Sequence, residues 1–433
     1  MSPREDAKAI FDSALDAIAP QRLINDACSL ESDLLRINGR RYDLNAYDRV
    51  FVFGSGKAAW PMAQAIETLL QERITAGLIV VPQKTGPLQR IDIVEGSHPI
   101  PSEKSLKSAR ALRTMMQSCR EEDLYLYLLS GGSSALIEEP LDPISLDELQ
   151  EVTMLLLRHH LDITEVNAVR KHLSRIKGGR LGRLCKAEGA VLVISDVIGD
   201  DLEVIGSAPL YYDKTTYAQT KELLEKKKLF DTLPASVRYV LFNGCSGEIE
   251  ESPKEPSSRI SHFLIGSNAT ALEAAREKAL SLGYDAMIIQ EPLQGSADVT
   301  GASLVEQARK LPDRSKPLCL IYGGETTVKV KGNGVGGRNQ QLCLSALSTL
   351  KENDRIVLLC AGTDGLDGNS DAAGAVVDAA TTEKAATAGL DPQSFLDNND
   401  ANHFFRLTGD LLTTGPTGTN VMDITIVIKE GEL

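Results

Sequence analysis

Five short stretches of this sequence carry the residue types that chemistry on anions requires. The first, GGETTVKVKGNGVGGRNQQ, begins at Gly323 and holds Gly332, Gly334 and Gly337 in the spacing G-x-G-x-x-G. Gly336, Gly337, Arg338 and Asn339 then open a predicted helix, RNQQLCLSALSTL. Three readings compete: a dinucleotide fingerprint, a plain glycine-rich turn, or a loop that brings Arg338 and backbone N–H groups to an anion at a helix start. The fingerprint needs a fully buried strand just before it and a ribose-binding acid about 20 residues after it. Residues 326–331 instead alternate polar and apolar, as a half-exposed strand does, and Glu352 and Asp354 fall in a polar turn. In FGSGKAAW, Gly54, Ser55 and Gly56 turn the chain and set Lys57 at the start of a helix, where a cation opposes the macrodipole. Either an anionic ligand explains it or the lysine is a solvated surface residue. In LLSGGSSALI, Ser130, Gly131, Gly132, Ser133 and Ser134 cluster N–H and hydroxyl donors, as a phosphate or carboxylate nest does, or as a structural turn does.

The fourth stretch, NAVRKHLSRIKGGR, places Asn167 and Lys171 on one helical face and crowds Arg170, Lys171, Arg175 and Lys177 together, with Arg180 following. Complement of the helix dipole and a polyanion site remain equally open. The fifth feature is a set of acids at the ends of apolar runs: Asp196 with Asp200 and Asp201, Glu325, and Asp364 with Asp367 and Asp371. Each alone is a turn former; together they suit a divalent cation or acid–base work, since magnesium commonly takes one or two carboxylates beside phosphate oxygens. Cation-bearing glycine loops with carboxylates nearby are what phosphoryl transfer needs, because that chemistry is positioning and neutralisation of spreading charge. Other chemistries lack support. The Walker spacing is absent, LLSGGSSALI lacks the second glycine of a hydrolase elbow, and no H-E-x-x-H occurs among the histidines, which include His98 in EGSHPIP and the helical pair His159 and His160.

These residues need rigid elements behind them. Six apolar runs end abruptly in small polar residues: RVFVFGSGKAA, LYLYLLSGGSSA, AVLVISDVIGD, HFLIGSNATA, LCLIYGGETT and RIVLLCAGTDG. They read as strands buried on both faces, and the helical patterns between them predict α/β architecture with largely parallel sheets. Ligands in such sheets bind beyond the carboxyl ends of the strands, so the six polar tips are the first place to seek function. Ser145 and Glu148 predict a capping box before ELQEVTMLLLRHHL, and a second helix is expected over about 163–177, stopping at Gly178-Gly179. The polar, proline-punctuated SGEIEESPKEPSSRIS predicts a domain boundary near 250.

Bulk properties narrow the class. A formal net charge of -14 argues against a nucleic-acid partner. Seven scattered cysteines without C-x-x-C argue against a disulfide framework and for a reducing, cytoplasmic setting. The N-terminus has no apolar signal core and no run of 18 apolar residues occurs, so neither export nor a membrane span is expected.

Taken in order, FGSGKAA, LLSGGSSAL, NAVRKHLSRIKGGRL, SDVIGDD, GGETTVKVKGNGVGGRNQQ, GTDGLDGNSDAAGAVVD and TGPTGTNVMD closely resemble the glycerate 2-kinases whose C-terminal half is the MOFRL domain. The resemblance runs from about residue 5 to the end. It implies two α/β domains: residues 1–250, Rossmann-like with a mainly parallel sheet, and residues 251–433, a smaller MOFRL-type domain, with the active site in the cleft between them. It implies ATP, Mg²⁺ or another divalent cation, and D-glycerate phosphorylated at its 2-hydroxyl by a monomer or homodimer. The family's GSGKA lysine falls on Lys57 and its GGRNQ arginine on Arg338; Asp196 is expected to orient Lys57 or approach the substrate hydroxyl. The loop 130–134, with Gly54, Ser55, Gly56, Asn167, Lys171, Gly336, Gly337 and Asn339, is expected to hold phosphates or the acid, and Asp200, Glu325 or Asp364 the metal. One departure stands out. Where the family commonly reads I-A-S-G-P-T, this chain has IGSAPLYYD, with Ala208 and Leu210 in place of glycine and threonine. This leaves a related sugar acid open as the substrate. An NAD(P)-dependent hydroxypyruvate reductase, a label the family has sometimes carried, and a non-catalytic sensor of sugar acids are the rival readings.

Overall fold

The computed structural model describes residues 2–159, 161–312 and 314–431, so His160 of the expected helical pair lies outside the described residues. Two compact units divide it: Leu23–Ile265, and the N-terminal stretch as far as Arg22 together with the chain from Gly266 onward. No described helix is long and apolar enough to cross a membrane.

In the Leu23–Ile265 unit, an antiparallel ribbon of β1 (Cys28–Glu31), β2 (Leu34–Ile37) and β3 (Arg40–Asp43) precedes the main sheet. That sheet is built from β4 (Val50–Ser55), β5 (Ile74–Val81), β6 (Ile91–Glu95), β7 (Leu124–Leu129), β8 (Glu188–Ile194) and β9 (Ile260–Gly266), in the order β6-β5-β4-β7-β8-β9. The pairs β6–β5, β5–β4, β4–β7 and β7–β8 are parallel. Every residue of β4 and β7 is buried, as helices on both faces of a parallel sheet demand. Phe51, Phe53, Tyr125 and Tyr127 pack with Leu112 and Met116 of the helix Glu103–Gln117. From β4 the chain builds outward one way to β6, then returns at β7 and builds the other way, so the topological switch falls between β4 and β7. The crevice at their carboxyl ends is where such sheets bind ligands. A helical layer, Leu146–Arg158, Ile163–Leu173, Tyr217–Lys226 and Ala235–Ser246, forms a second cluster around Leu149, Val169 and Tyr217. The Ser145–Glu148 capping box forms as predicted. The helix expected over about 163–177 ends at Leu173, because Ser174 is extended and bonds Glu138 instead.

The other unit is built around β10 (Asp285–Leu293), β11 (Leu318–Gly324), β12 (Ile356–Gly362), β13 (Gly374–Val377), β14 (Leu411–Leu412) and β15 (Asp423–Lys429), in the order β10-β11-β15-β12-β13-β14. Here the expectation of a largely parallel sheet fails: only β10–β11 is parallel, and β15 lies antiparallel between β11 and β12. Apolar runs announce buried strands but carry no direction, and the run DITIVIK of β15 threads back into the centre.

The division at 250/251 is not the one the compact units follow. The polar segment after 246 lies inside the first unit, where Ser252 is buried against Asp213 and Arg259 O accepts from Gly189 N at 2.9 Å. Exposure and proline mark a surface loop there rather than a boundary. The first helix, Pro3–Ala17, belongs to the second unit: its Asp6 accepts from Tyr284 OH at 2.7 Å, and Arg4 pairs with Asp378 and Asp410.

Candidate active site

Two glycine loops meet at the switch point. Gly54 and Ser55 end β4, and Ser55 Oγ bonds both Tyr127 OH (2.7 Å) and Ser133 Oγ (2.6 Å). The hydroxyls of Ser55 and Ser133 are thus spent inside the protein, tying the loops together. Gly56 packs flush on Ser130, where a Cβ would overlap the serine. Lys57 N donates to Gly131 O (2.9 Å) and Ala58 N to Ser130 Oγ (3.0 Å). The helix that Lys57 was expected to open begins at Ala59, so Lys57 stands on the turn before it. On the other side of the loop, a Cβ at Gly131 would overlap the carboxylate of Asp196, which follows β8. A Cβ at Gly132 would sit 3.1 Å from the His98 ring and 3.3 Å from the Lys57 side chain. Lys57, Asp196 and His98 therefore converge on two adjacent glycines.

His98 went unread in the sequence, having no motif of its own; the structure shows it facing Lys57. Partial desolvation of its ring, and then the charge of Lys57, hold its pKa below the ordinary imidazole value. Asp200 lies further along, in the turn after β8, with φ of 55°.

Behind the loop stands a layer of buried polar support. Ser134 Oγ bonds Ser207 Oγ (2.8 Å), and Ser207 Oγ donates to Asn167 Oδ1 (3.1 Å). Lys177 Nζ donates to Ser134 O (2.7 Å) and Ile137 O (3.2 Å) and pairs with Glu138 (2.9 Å), which Arg170 also reaches. Burial brings the Lys177 ammonium down to about 8. Lys171, grouped with Asn167 as a phosphate ligand, has its ammonium on the buried Asp213 (3.3 Å). A lysine this deep needs a carboxylate partner, so it faces Asp213 rather than the glycine loops.

In the second unit, antiparallel β15 places Asp423 opposite both Gly324 and Gly362, the last residues of β11 and β12. Arg338, first residue of the helix Arg338–Thr349, is held there by two carboxylates: Nε and Nη2 donate to Asp423 (2.5 and 2.9 Å), and Nη2 also donates to Glu325 (2.7 Å). Burial pushes Asp423 up to about 7, with Arg338 only partly opposing it. Asp367 caps the same helix, accepting from the backbone N–H groups of Asn339 (3.1 Å) and Gln340 (2.9 Å), and Asn339 is buried against it. Asp364 Oδ1 accepts from Leu366 N (3.2 Å), and a Cβ on Gly362 would stand 3.2 Å from it and 3.4 Å from Asp423 Oδ1. Asp423 was not singled out in the sequence, because its strand was not read there.

The comparisons follow this geometry. Residues 6–242 match the model of a domain of unknown function, DUF4147, and residues 318–423 match the MOFRL family. The chain is 39% identical to the glycerate 2-kinase of Pyrococcus horikoshii, over 99% of this chain and 98% of that protein. This chain belongs to the MOFRL-type glycerate kinase family. It is also 39% identical to the D-glycerate 2-kinase of Thermotoga maritima, over 96% of each chain, and 33% identical to human glycerate kinase, over 98% of this chain and 92% of the human one. The crystal structure of the Thermotoga maritima glycerate kinase superposes with a TM-score of 0.86 at 37% identity, covering 99% of both chains.

Within this glycerate kinase framework the G-x-G-x-x-G spacing has a structural explanation. No strand forms over 326–331, where Val330 is exposed and the only pairing is a single bridge from Thr327 to Ser296. The amides of Gly332, Gly334 and Gly336 already donate to Asn399 Oδ1 (3.1 Å), Asn398 O (3.0 Å) and Asn369 Oδ1 (2.9 Å). They are turned inward to shape the approach to Arg338, and Gly337 serves as the N-cap of its helix. Those inward bonds leave no cradle for a pyrophosphate at these amides.

The IGSAPLYYD loop keeps a left-handed turn: Ala208 has φ of 55° despite its Cβ. Ser207 O and Ala208 O accept from Gly178 N (3.1 Å) and Gly179 N (2.6 Å).

Among the described residues no three His, Cys, Asp or Glu side chains are grouped to hold a metal. Of the expected metal ligands, Glu325 is bonded to Arg338 and Asp364 to Leu366 N in one unit, and Asp200 belongs to the other.

Proposed function

We propose that the protein transfers the γ-phosphate of ATP to the 2-hydroxyl of D-glycerate, giving 2-phosphoglycerate and ADP. Convergence of Lys57 and Asp196 on the glycine loop at the switch point carries this reading. In-line transfer spreads negative charge over the equatorial oxygens of the moving group. Lys57 and Arg338 are the cations we assign to neutralise it, and the planar fork of arginine matches two oxygens at once. Main-chain N–H groups within residues 131–134 hold a phosphate or the glycerate carboxylate, because the Ser130 N–H donates to Ser55 O and the Ser55, Ser130 and Ser133 hydroxyls are bonded inward. Asp196 or Asp364 accepts the proton of the attacking hydroxyl. A divalent cation, held by Glu325, Asp364 or Asp200 beside the phosphates, would offset further charge.

The test is an ADP-release assay with ATP and Mg²⁺ across D-glycerate, L-glycerate, hydroxypyruvate and four-carbon hydroxy acids, followed by phosphorus NMR. A 2-phosphoglycerate signal is expected. Turnover confined to a larger acid would keep the kinase and assign the change in substrate to Ala208 and Leu210. Absence of ADP with every acid would overturn the reading.

A further inference from the structure

The cation-rich segment after Asn167 is only partly explained by the kinase site. Lys171 and Lys177 are absorbed by buried carboxylates, but Arg175, Arg180 and Arg183 are not part of the glycine-loop cluster. They line, with Arg113 and Gln117 from the end of the helix Glu103–Gln117 and with Glu250, a cavity of about 260 Å³ inside the Leu23–Ile265 unit. A water occupies roughly 30 Å³ of liquid, so the space admits a phosphate-sized group and several waters.

Charge in this cavity is lopsided. Arg113 is committed to Glu139 by two bonds (2.8 and 3.1 Å), and Arg110 shares that carboxylate at 3.5 Å. Arg175 pairs with Asp142, and Arg183 with Glu250 at 2.6 Å, but the two acid side chains are 90% and 76% exposed. Pairs that open to water contribute little and exchange readily for a better anion. Arg180 differs. It is only 5% exposed, and its bonding partners are neutral: Glu250 O and Tyr217 OH, both at 3.0 Å. Its Nε is buried with no hydrogen-bond partner. The acids Glu251 and Asp213 act on it without bonding it, and with one buried N–H unmet a bonded anion would complete the set.

We infer that this arginine-lined cavity is a second anion site, which takes a small phosphate-bearing anion and is distinct from the Lys57 loops. Arginine forks suit the bidentate geometry of phosphate oxygens. The site's placement gives it a route to the chemistry. Arg180 follows directly on Gly178 and Gly179, whose N–H groups hold Ser207 O and Ala208 O, and on Lys177, which holds Ser134 O. An anion that fixes Arg180 therefore steadies the layer beneath the reactive loop. The inference goes beyond the kinase reading and does not depend on it.

Inorganic phosphate is the probe, titrated calorimetrically into three full-length proteins: the wild type, Lys57→Ala, and the double variant Arg175→Gln/Arg183→Gln. Both arginines are partly exposed, so the double variant retains the fold, checked by its melting temperature. Phosphate is expected to bind the wild type and Lys57→Ala alike and to bind the double variant at least about tenfold more weakly. Turnover of the double variant without added phosphate is expected to stay at the wild-type level. If the double variant melts early, Gln117→Glu, which adds a carboxylate to the cavity wall, replaces it and must weaken phosphate to the same degree. Equal affinity in the arginine variant, binding lost in Lys57→Ala alone, or no binding by the wild type at tens of millimolar would each overturn the assignment.

Discussion

Lys57 and Arg338 both stand near the ends of buried strands, yet their surroundings differ in kind. Lys57 is positioned by main chain and small residues: its own N–H on Gly131 O, Ala58 N on Ser130 Oγ, and glycines that let Ser130 and Asp196 close in. Arg338 is positioned by carboxylates that grip its guanidinium directly, Asp423 by two bonds and Glu325 by one. In the first case main-chain bonds hold the backbone that carries the side chain. In the second two carboxylates fix the charged head itself. Removing Lys57 should therefore cost chemistry and little else, whereas removing Arg338 should cost chemistry and fold together.

The Lys57→Ala variant tests the first half of that contrast and carries the largest expected effect. Loss of a cation aimed at developing negative charge costs about 3–4 kcal/mol of transition-state stabilisation, or at least two orders of magnitude in kcat. The backbone bonds of residues 57 and 58 do not involve the side chain, so the melting temperature should stay within about 2 °C of wild type. Near-normal turnover would remove Lys57 from the reaction.

Arg338→Ala tests the second half. Asp423 is buried, and truncating its partner strands that charge, which destabilises by about 3 kcal/mol or more. Adding Asp423→Asn should recover most of the stability and none of the activity. The deficit must also depend on pH, with a definite sign. Burial holds Asp423 near 7 in the folded protein, above its ordinary carboxyl value, so its favourable contribution is present at pH 4 and lost as pH rises through about 7. Urea midpoints should therefore show a smaller Arg338→Ala deficit at pH 5 than at pH 8. A deficit that is flat with pH, or a double variant as unstable as the single, would break the contrast between the two halves.

How much of this was legible beforehand follows the same line. The glycine loops and Lys57 sit at the ends of continuous apolar runs, and such runs identify strands without knowledge of their partners; all six predicted strands form, five of them buried as expected and β9 largely half-buried. Arg338 was legible as a cation at a helix start, but its partner Asp423 was not. It depends on β15 lying antiparallel between two strands distant in sequence, and strand order and direction are properties of the closed sheet. His98 faces Lys57 only because the chain after β6 folds back over Gly132, which no local pattern records. The compact units divide elsewhere than near 250 for a related reason: solvent-facing composition is local, while membership of a core, as for the helix Pro3–Ala17, is not.

The smallest expected effect concerns the loop that departs from the family pattern. Ala208 takes φ of 55° with its methyl buried. Replacing it by glycine relieves a left-handed alanine, worth about 1–2 kcal/mol. The same change removes a buried methyl, roughly 0.8 kcal/mol, and loosens the unfolded chain by about 0.4–1 kcal/mol. The opposing sums nearly cancel, so Ala208→Gly should alter stability by less than about 0.5 kcal/mol. Any gain in D-glycerate turnover then reports on loop shape rather than on fold. A stabilisation above about 1 kcal/mol would show that strain prevails here and that the bonds from Gly178 and Gly179 hold the loop against its own preference. A loss of similar size would show that the methyl is part of the packing behind Ser134, and that the loop's neighbours have adapted to alanine.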